Sequence, residues 1–445
     1  MYTSLFDLIE QNNYAKIRQE IVSMKAVDIA TFFEEINHNT LLLIFRILPK
    51  DLAVDVFSYL PNDLQKYIIE SSSDEEIKTI LDKLFFDDTI DFIEEMPANI
   101  VKKILLNTNE ETRKLINQFL AYSEYSAGSL MTIEYVDLSK EMTVGQALQR
   151  IKKTAIDKKT IETCYVLDDN RILVGITTLR KLILSEESAL VKDIMISDFI
   201  VLNTNDHQEE VATLFKKYDY VVMPVVDSEN RLVGIVTVDD VIDAIDQENT
   251  EDFQKMAAMQ PSEKKYLKTN AFVLAKHRFP WLLFLMLSAT FTGGIIMRYE
   301  NALQSVLILT SFIPMLMDTG GNAGSQSSTL IIRGIALGEI RTRDTLKVLW
   351  KELQVSFLLG FILGLVNFIR IYLVKKVSLG VSITVCVTLF FTIIMAKTIG
   401  GILPILAKKI KLDPALMASP IITTIVDAGS LMLYFFIATK LLRLG

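Results

Sequence analysis

Five apolar segments in the C-terminal part of the chain constrain the fold more than any other feature. Each approaches or exceeds the length of about 20 residues that a helix needs to cross a bilayer. Because a backbone in lipid must satisfy its own hydrogen bonds, we expect these segments to be helical. The predicted spans are residues 279–298, 302–333, 353–374, 381–407 and 413–440. The sequence thus predicts an all-α transmembrane domain of five helices.

The charged side chains are divided unevenly between this apolar part and the residues before it. Residues 1–270 hold 47 of the 54 acids and 29 of the 46 bases, whereas residues 271–445 hold 7 acids and 17 bases. An acidic water-soluble part argues against nucleic acid as a partner and favours cations. The two cysteines, Cys164 and Cys386, lie in different parts, so we expect no disulfide framework.

The basic residues that flank the spans predict the orientation in the membrane. Lysines and arginines precede the first span and follow the second and the fourth, and fewer lie on the opposite side. The N-terminal segment lacks a basic stretch followed by an apolar core, so no cleaved signal peptide is expected. We therefore expect a cytoplasmic N-terminal part and an external C-terminus.

The second apolar segment contains a polar stretch, DTGGNAGSQ at 318–326. Pro314 and the glycines of this stretch predict a broken helix whose carbonyl groups face a covered aqueous path. Asn322, Ser325 and Gln326 would then bind the water shell of an ion. Close helix packing through small residues is the alternative. It explains the glycines but not the polar side chains.

Asp427 lies in the middle third of the last span. A carboxylate at the centre of a bilayer costs about 2.5–3.5 kcal/mol on insertion scales, and such acids mark ion pathways. Lys397, in the fourth span, is expected to extend its stem to the cytoplasmic edge rather than pair with it. A protonated Asp427 bonded to the backbone is the alternative. With the polar stretch, this acid predicts a cation path.

The available ligand types indicate which cation is carried. The histidines, His38, His207 and His277, are scattered outside the spans, which disfavours zinc and copper. Oxygen ligands suit Mg²⁺, Ca²⁺ or Mn²⁺, and one carboxylate among carbonyls and amides suits a largely hydrated Mg²⁺. Because the Gly-x-x-x-x-Gly-Lys-Ser/Thr motif is absent, we expect channel-like influx rather than an ATP-driven pump.

Residues 1–125 have the apolar spacing of helices. The segments 48–61 and 85–97 align at an offset of 36, which pairs residues 49–61 with residues 85–97. This repeat predicts stacked helical hairpins in a small α-solenoid. Asp87 and Asp91 would share a helix face with no Lys or Arg nearby. Like charges at that spacing destabilise a helix, so we expect a cation to bridge them.

A second repeat aligns residues 165–183 with residues 224–242 at an offset of 59. Each copy reads as a strand, an Asp-rich turn, a second strand through Val-Gly-Ile and a helix. The repeat resembles tandem CBS domains, which are paired α/β modules that often sense nucleotides or ions. In that family a Gly-x-x-Thr-x-x-Asp ending holds the ribose of adenosine. The second copy keeps Thr237 and Asp240, whereas the first has Lys181 in place of the acid. The resemblance implies that ATP can be a ligand of the second copy, with Thr237, Tyr220 and Arg180 as its contacts.

Residues 238–270, which join this repeat to the first span, are rich in acids. A connecting helix of that composition repels itself. Its position between a sensor-like repeat and a predicted pore indicates a role in coupling the two. An ordinary exposed connector is the alternative.

These parts together resemble the MgtE family of bacterial magnesium transporters, over essentially the whole chain. Two motifs are most specific: PMLMDTGGNAGSQSSTLIIRG at 314–334 and LDPALMASPIITTIVDAGSLMLYF at 412–435. The resemblance implies a multi-domain homodimer in the bacterial inner membrane, not an enzyme, with a Mg²⁺-selective pore between the subunits. The implied domains are a helical N-domain (1–126), tandem CBS domains (127–188 and 189–246), a plug helix (247–277) and a pore domain (278–445).

The resemblance also implies residue roles. Asp427 matches the selectivity acid of the pore, and Gly320, Gly321, Asn322 and Thr423 would lie near it. High cytoplasmic Mg²⁺ would close the pore by bridging the N-domain, the CBS domains and the plug helix. The regulatory acids implied in this way are Asp55, Asp87, Asp91, Asp219, Asp240, Asp243, Glu248, Glu251 and Asp252.

Other functions stay open on the sequence alone. The same architecture suits a transporter of Mn²⁺ or Co²⁺. An anion transporter is disfavoured, because this chain puts an Asp where anion paths need Arg or Lys. A nucleotide-sensing membrane protein without transport is the remaining alternative. The spans contain no nucleophile with an adjacent base, so enzymatic activity is not expected.

Overall fold

The computed structural model describes residues 2–262, 266–299, 304 and 306–443. The chain forms two compact units, Met1–Ile245 and Asp246–Gly445. Each unit is described by itself.

The first unit begins with short helices whose apolar faces pack into one core. Pro61 and Pro97, which correspond in the 36-residue repeat, each precede a helix directly. Proline is suited to such a place because its missing N–H has no intrahelical partner to lose. The predicted helical character is confirmed, whereas a solenoid stays a prediction. The helices are Thr3–Glu10, Tyr14–Ile21, Ala26–Glu35, His38–Ile47, Lys50–Ser58, Asn62–Ser71, Asp74–Leu81, Phe86–Glu94, Ala98–Asn107, Glu110–Phe119 and Ala127–Leu130.

Two three-stranded sheets follow in the same unit, one for each copy of the 59-residue repeat. In each sheet the first strand runs parallel to the second, and the second antiparallel to the third. The copies exchange equivalent hydrogen bonds: the amide of Leu173 donates to the Asn230 carbonyl and that of Leu232 to the Arg171 carbonyl, each at 3.2 Å. The predicted pair of CBS-like modules is confirmed. The strands are Val136–Ser139, Thr163–Leu167 and Leu173–Thr178, then Leu202–Asn203, Val222–Val226 and Leu232–Thr237; the helices are Val144–Thr154, Leu179–Leu184, Val191–Ile194 and Gln208–Tyr218.

The helix Val238–Met256 leaves the second copy, and the remaining helices belong to the second unit. They are Ala271–Arg298, Ile313–Ala336, Thr345–Ile369, Leu379–Lys409 and Ser419–Leu441. Within the described residues, four helical segments are long and apolar enough to cross a membrane: Ala271–Arg298, Thr342–Val374, Leu379–Lys409 and Pro414–Leu441.

Four of the five predicted spans coincide with these segments. The predicted span 302–333 differs, because residues 302, 303 and 305 lie outside the described residues. Its later residues form a 3₁₀-helix, Leu307–Phe312, and then the helix Ile313–Ala336. The helix Ile313–Ala336 carries the polar stretch and is not among the four. The number of spans therefore stays a prediction.

The predicted turn at the glycines of the polar stretch is wrong, whereas Pro314 does lie at a helix boundary, directly after the 3₁₀-helix Leu307–Phe312. Ile313–Ala336 is a continuous helix, and Pro314 lies in its first turn, where proline is tolerated. The glycines let other helices approach closely. A Cβ on Gly321 would lie 2.9 Å from Thr423 Cγ2, and one on Gly324 would lie 2.7 Å from Ile422 Cγ2. Close packing through small residues, the alternative interpretation, describes these glycines.

Candidate cation sites

Three polar side chains of the helix Ile313–Ala336 lie on a different face from its buried glycines. Asp318, Asn322 and Gln326 are spaced four residues apart and are exposed. Residues at that spacing lie above one another on a helix. They form a polar stripe on the surface of the second unit, which a lipid-facing helix would not carry.

The last helix brings Asp427 close to this region. Gly321 packs against Thr423, and Asp427 follows Thr423 by one turn on the same face. Asp427 is half-buried and has no ion pair or hydrogen bond within the described residues. Its charged neighbour is Asp318. Two carboxylates that repel each other favour a cation between or beside them.

Lys397 does not extend its side chain to a water-accessible surface, contrary to the prediction. It is 5% exposed, and its Nζ donates a 3.1 Å hydrogen bond to Ser327 Oγ. Ser327 Oγ donates in turn to Glu352 Oε2 at 2.6 Å, and the Lys397 and Glu352 charges are 3.9 Å apart. The three side chains come from three different helices, so no spacing within the sequence could indicate their contact.

A buried acidic cluster lies in the first unit, on the helix Phe86–Glu94. Asp87 occupies its first turn, where the helix dipole stabilises a negative charge, and is only 4% exposed. Lys159 Nζ lies 2.7 Å from Asp87 Oδ2, 3.6 Å from Asp239 Oδ2 and 4.0 Å from Asp240 Oδ1. The prediction that no basic residue lies near Asp87 is therefore wrong. Lys159 is 72 residues away in sequence, beyond the reach of helical spacing.

Acids around Asp87 hold their protons more tightly than usual. Burial, and next the charge of Asp87, raise the pKa of Asp240 to about 7 and that of Asp88 to about 6. Burial, Asp87 and Asp240 raise the pKa of Asp91 to about 8. The Asp91 side chain still reaches solvent, so water screens part of this repulsion. The excess of carboxylates is the environment that a divalent cation stabilises.

Several other predicted regulatory acids lie outside these contacts. Asp55 and Asp219 are exposed and form no ion pair within the described residues. Asp219 ends the helix Gln208–Tyr218 in a left-handed conformation, with φ 53°. Asp243 is also exposed, and Glu248 is half-buried.

A second acid-rich contact lies in the second unit, where Lys255 pairs with two acids. Its Nζ is 2.5 Å from Asp413 Oδ2 and also pairs with Glu251. Burial, and next the charge of Asp413, raise the pKa of Asp252 to about 6. Sequence reasoning found Glu251 and Asp252 but missed Lys255 and Asp413, which is 158 residues from Lys255.

The three predicted nucleotide contacts differ in their exposure to solvent. Thr237 is buried, and its hydroxyl donates to Asp240 Oδ2 at 2.5 Å. Tyr220 is half-buried, and Arg180 is exposed. Asp240 therefore belongs both to the nucleotide-type motif and to the carboxylates around Lys159.

Family profiles match three parts of the chain. A profile described as MgtE, divalent cation transporter, matches residues 313–437. A profile for the MgtE intracellular N domain matches residues 24–125, and a CBS domain profile matches residues 191–247. The matches include both candidate regions, around Asp427 and around Asp87.

Curated relatives match over almost the whole length. The chain is 34% identical to the magnesium transporter MgtE of Thermus thermophilus, over 99% of this chain and 98% of that protein. It is 32% identical to the magnesium transporter MgtE of Bacillus subtilis, over 98% of this chain and 96% of that protein.

Two solved structures match slightly more than half of the chain. The cytosolic domain of the Mg²⁺ channel MgtE, in complex with ATP, superposes with a TM-score of 0.52 at 33% identity, covering 55% of this chain and 99% of that one. The soluble part of a magnesium transporter superposes with a TM-score of 0.51 at 27% identity, covering 56% of this chain and 97% of that one.

Proposed function

Because the chain belongs to the MgtE family, we propose that it carries Mg²⁺ across a membrane. Entry follows the electrochemical gradient, since an inside-negative potential contributes about 4.6 kcal/mol per 100 mV for a doubly charged ion. Transport, not catalysis, is then its activity. The soluble part lies in the cytoplasm and the C-terminus outside.

The observation that carries the proposal is the position of Asp427. It is half-buried, without an ion pair or hydrogen bond within the described residues, and its charged neighbour is a second carboxylate, Asp318. An acid kept in an apolar helix at that cost needs a passing cation to balance it. Asn322, near the packed pair Gly321 and Thr423, contributes an amide that suits the water shell of Mg²⁺.

The proposal is tested by Mg²⁺ uptake into proteoliposomes with Asp427→Asn. We expect uptake to fall by at least about tenfold, because removing the charge takes more than about 1.4 kcal/mol from the permeating ion. Glu339→Gln removes an exposed acid outside the candidate spans and is the matched control. Full uptake by Asp427→Asn in a correctly folded protein would overturn the proposal.

Regulation by cytoplasmic Mg²⁺ is the second part of the proposal. Mg²⁺ binding to Asp87, Asp91 and Asp240, and to Glu251 and Asp252, would favour the closed form. The other acids implied by the resemblance, Asp55, Asp219, Asp243 and Glu248, would contribute as the domains associate. A ligand shifts such an equilibrium only by its difference in affinity between the two forms.

This regulation has its own test. Neutralising Asp240 and Asp252 together should leave the pore open at internal Mg²⁺ concentrations that close the wild type, as measured by patch recording. Normal closure in that variant would exclude these acids from regulation. For such work we divide the chain into an N-domain (1–126), tandem CBS domains (127–246), a plug helix (247–277) and a pore domain (278–445). We also propose that two copies of the chain enclose the pore.

Two further points of the proposal concern selectivity and ATP. The matching profile is described as a divalent cation transporter, which favours Mn²⁺ or Co²⁺ as the second candidate cargo. Competition of each ion with Mg²⁺ uptake distinguishes the candidates.

A structural neighbour was solved with ATP, which supports ATP as a ligand near Thr237, with Tyr220 and Arg180. Equilibrium dialysis of the full chain with ATP tests that contact.

A further inference from the structure

Lys159 occupies a position in the acidic cluster where a bound cation would be expected. Its Nζ touches Asp87 and has Asp239 and Asp240 within 4.0 Å. It also lies 5.2 Å from the centre of the Phe85 ring, a distance at which ring and ammonium attract each other. The side chain is 13% exposed.

The lysine is held in this position by its backbone. Its amide donates to the Glu134 carbonyl at 3.0 Å. The Glu134 carboxylate in turn accepts a hydrogen bond from the Phe86 amide at 3.0 Å. Phe86 is the first residue of the helix that carries Asp87. One residue thus ties the Lys159 backbone to the start of that helix. The ammonium is therefore presented to Asp87 at a high effective concentration, in the millimolar range or above for a short tether.

The cluster contains a carboxylate oxygen that this lysine does not bind. Asp87 Oδ1 is buried and has no hydrogen-bond partner, although the other oxygen of the same carboxylate accepts from Lys159. One ammonium faces three carboxylates within 4.0 Å, so negative charge remains in excess. A buried oxygen without a partner is unfavourable, and more so when its group is charged. A ligand bound at Asp87 Oδ1 would remove this cost.

We propose that Lys159 is a tethered competitor of the regulatory cation, and that a divalent ion must displace its ammonium from Asp87 to bind there. This inference rests on the proposed regulation and adds the residue that sets its threshold. A monovalent ion would replace the single charge of the Lys159 ammonium by another single charge. Because the free ion is not tethered to the protein, it would compete poorly with the lysine. A divalent ion brings twice the charge to the same carboxylates, so the interaction with each of them doubles. Lys159 therefore also makes the site discriminate against K⁺ and Na⁺.

The first experiment measures the wild-type full chain in detergent, with Mg²⁺ varied. Amine acylation, followed by mass spectrometry, reports how free each lysine is. We expect Lys159 to become several-fold more reactive as Mg²⁺ rises. Lys158, the preceding residue, forms no ion pair within the described residues and should not change. Hydrogen exchange of the segment 86–94 is measured in the same samples. Constant Lys159 reactivity while that segment becomes protected would overturn the proposal.

The second experiment compares variants by the Mg²⁺ concentration that half-protects the segment 86–94. Lys159→Gln should lower it about tenfold, which corresponds to about 1.4 kcal/mol, and should let KCl alone give partial protection. Lys159→Arg keeps the charge and should stay within about twofold of wild type, as should the net-charge control Lys158→Gln. An unchanged or higher midpoint in Lys159→Gln, or equal behaviour of Gln and Arg, would overturn the proposal.

These readouts separate this inference from the proposed function. If the wild type shows Mg²⁺-dependent protection but Lys159→Gln has the same midpoint, only the role of Lys159 fails. If Mg²⁺ gives no protection in the wild type, regulation through this cluster fails and the inference fails with it. Mg²⁺ uptake through the Asp427 region is measured separately in liposomes and depends on neither result.

Discussion

Lys159 and Lys397 each present an ammonium group to a buried carboxylate, Asp87 and Glu352 respectively, but the charge around them is balanced differently. Lys397 faces Glu352, with Ser327 Oγ hydrogen-bonded to both. Lys159 faces three carboxylates within 4.0 Å. The first network pairs one positive with one negative charge, so it has no need of another ion. The second is left negative, so a further cation stabilises it.

The same chemical pair therefore has two uses in this chain. A buried pair with matched charges fixes how three helices meet, because separating it exposes each charge to an apolar surrounding. A buried pair with extra carboxylates is a site whose occupant can be exchanged. Substitutions that remove one lysine at a time distinguish these two uses.

The largest effect is expected at Lys397. Lys397→Gln leaves Glu352 buried without its counter-charge, which costs about 3–5 kcal/mol when one partner of a buried pair is removed. The measurement is thermal unfolding of the protein in detergent, with and without Mg²⁺. Mg²⁺ should not restore the loss. The double variant Glu352→Gln with Lys397→Gln should recover more than half of it, and a single variant as stable as wild type would show that the pair is not structural.

A smaller loss, reversed by Mg²⁺, is expected at Lys159. Without divalent ions, Lys159→Gln leaves Asp87 unpaired in a site that is partly accessible, so we expect a loss of about 2–3 kcal/mol, below the range for fully buried pairs. Mg²⁺ should return the variant to at least wild-type stability. Denaturant unfolding of the full chain, followed by hydrogen exchange in the segment 86–94, measures this. A loss that Mg²⁺ leaves unchanged would make Lys159 equivalent to Lys397 and remove the difference between the two sites.

Much of the fold could be predicted from local patterns. Four of the predicted spans coincide with long apolar helices, and the 59-residue offset identified two sheets of the same topology. Each of these features repeats within a few residues or at a fixed interval. Such signals are visible in the sequence, because helix and strand periods are local properties of the chain.

The partners of the buried charges could not be predicted in this way. Lys159 and Asp87 are 72 residues apart, and Lys397 and Ser327 are 70 apart. Their contacts depend on how separate elements pack, and no helical spacing contains that information. The helix Ile313–Ala336 was mispredicted for a related reason. A glycine can allow either a backbone turn or a close contact between helices. Only the packing of Thr423 and Ile422 against Gly321 and Gly324 shows that the close contact is the role here.

The next effect in size is a pH dependence of the first unit. The pKa values of Asp240 and Asp88, about 7 and about 6, lie above the value of about 3.9 for an unfolded Asp. Folding therefore takes up protons between about pH 4 and pH 7, so stability is highest at the acidic end and falls as the pH rises through this range. We expect a loss of about 1–2 kcal/mol after solvent screening, with the ions chelated.

Mg²⁺ should flatten this dependence, because it replaces the protons that the carboxylates lose. Hydrogen exchange of the segment 86–94 from pH 5 to pH 7.5, corrected for intrinsic rates, measures it. Asp240→Asn should reduce the slope without Mg²⁺. If, with divalent ions chelated, stability instead rose with pH, the raised pKa values of the carboxylates around Asp87 would be contradicted.

The smallest effect is expected at Asp51, which corresponds to Asp87 in the 36-residue repeat and gives the comparison a control within the chain. Asp51 pairs with Lys83, but its side chain is 83% exposed, so water screens the pair and Asp51→Asn should cost less than about 0.5 kcal/mol. Asp87→Asn should abolish Mg²⁺-dependent protection of the segment 86–94, whereas Asp51→Asn should leave it unchanged. If both variants weaken that protection equally, burial beside Lys159 is not what makes Asp87 a cation ligand. The acid clusters would then act through the overall charge of the unit.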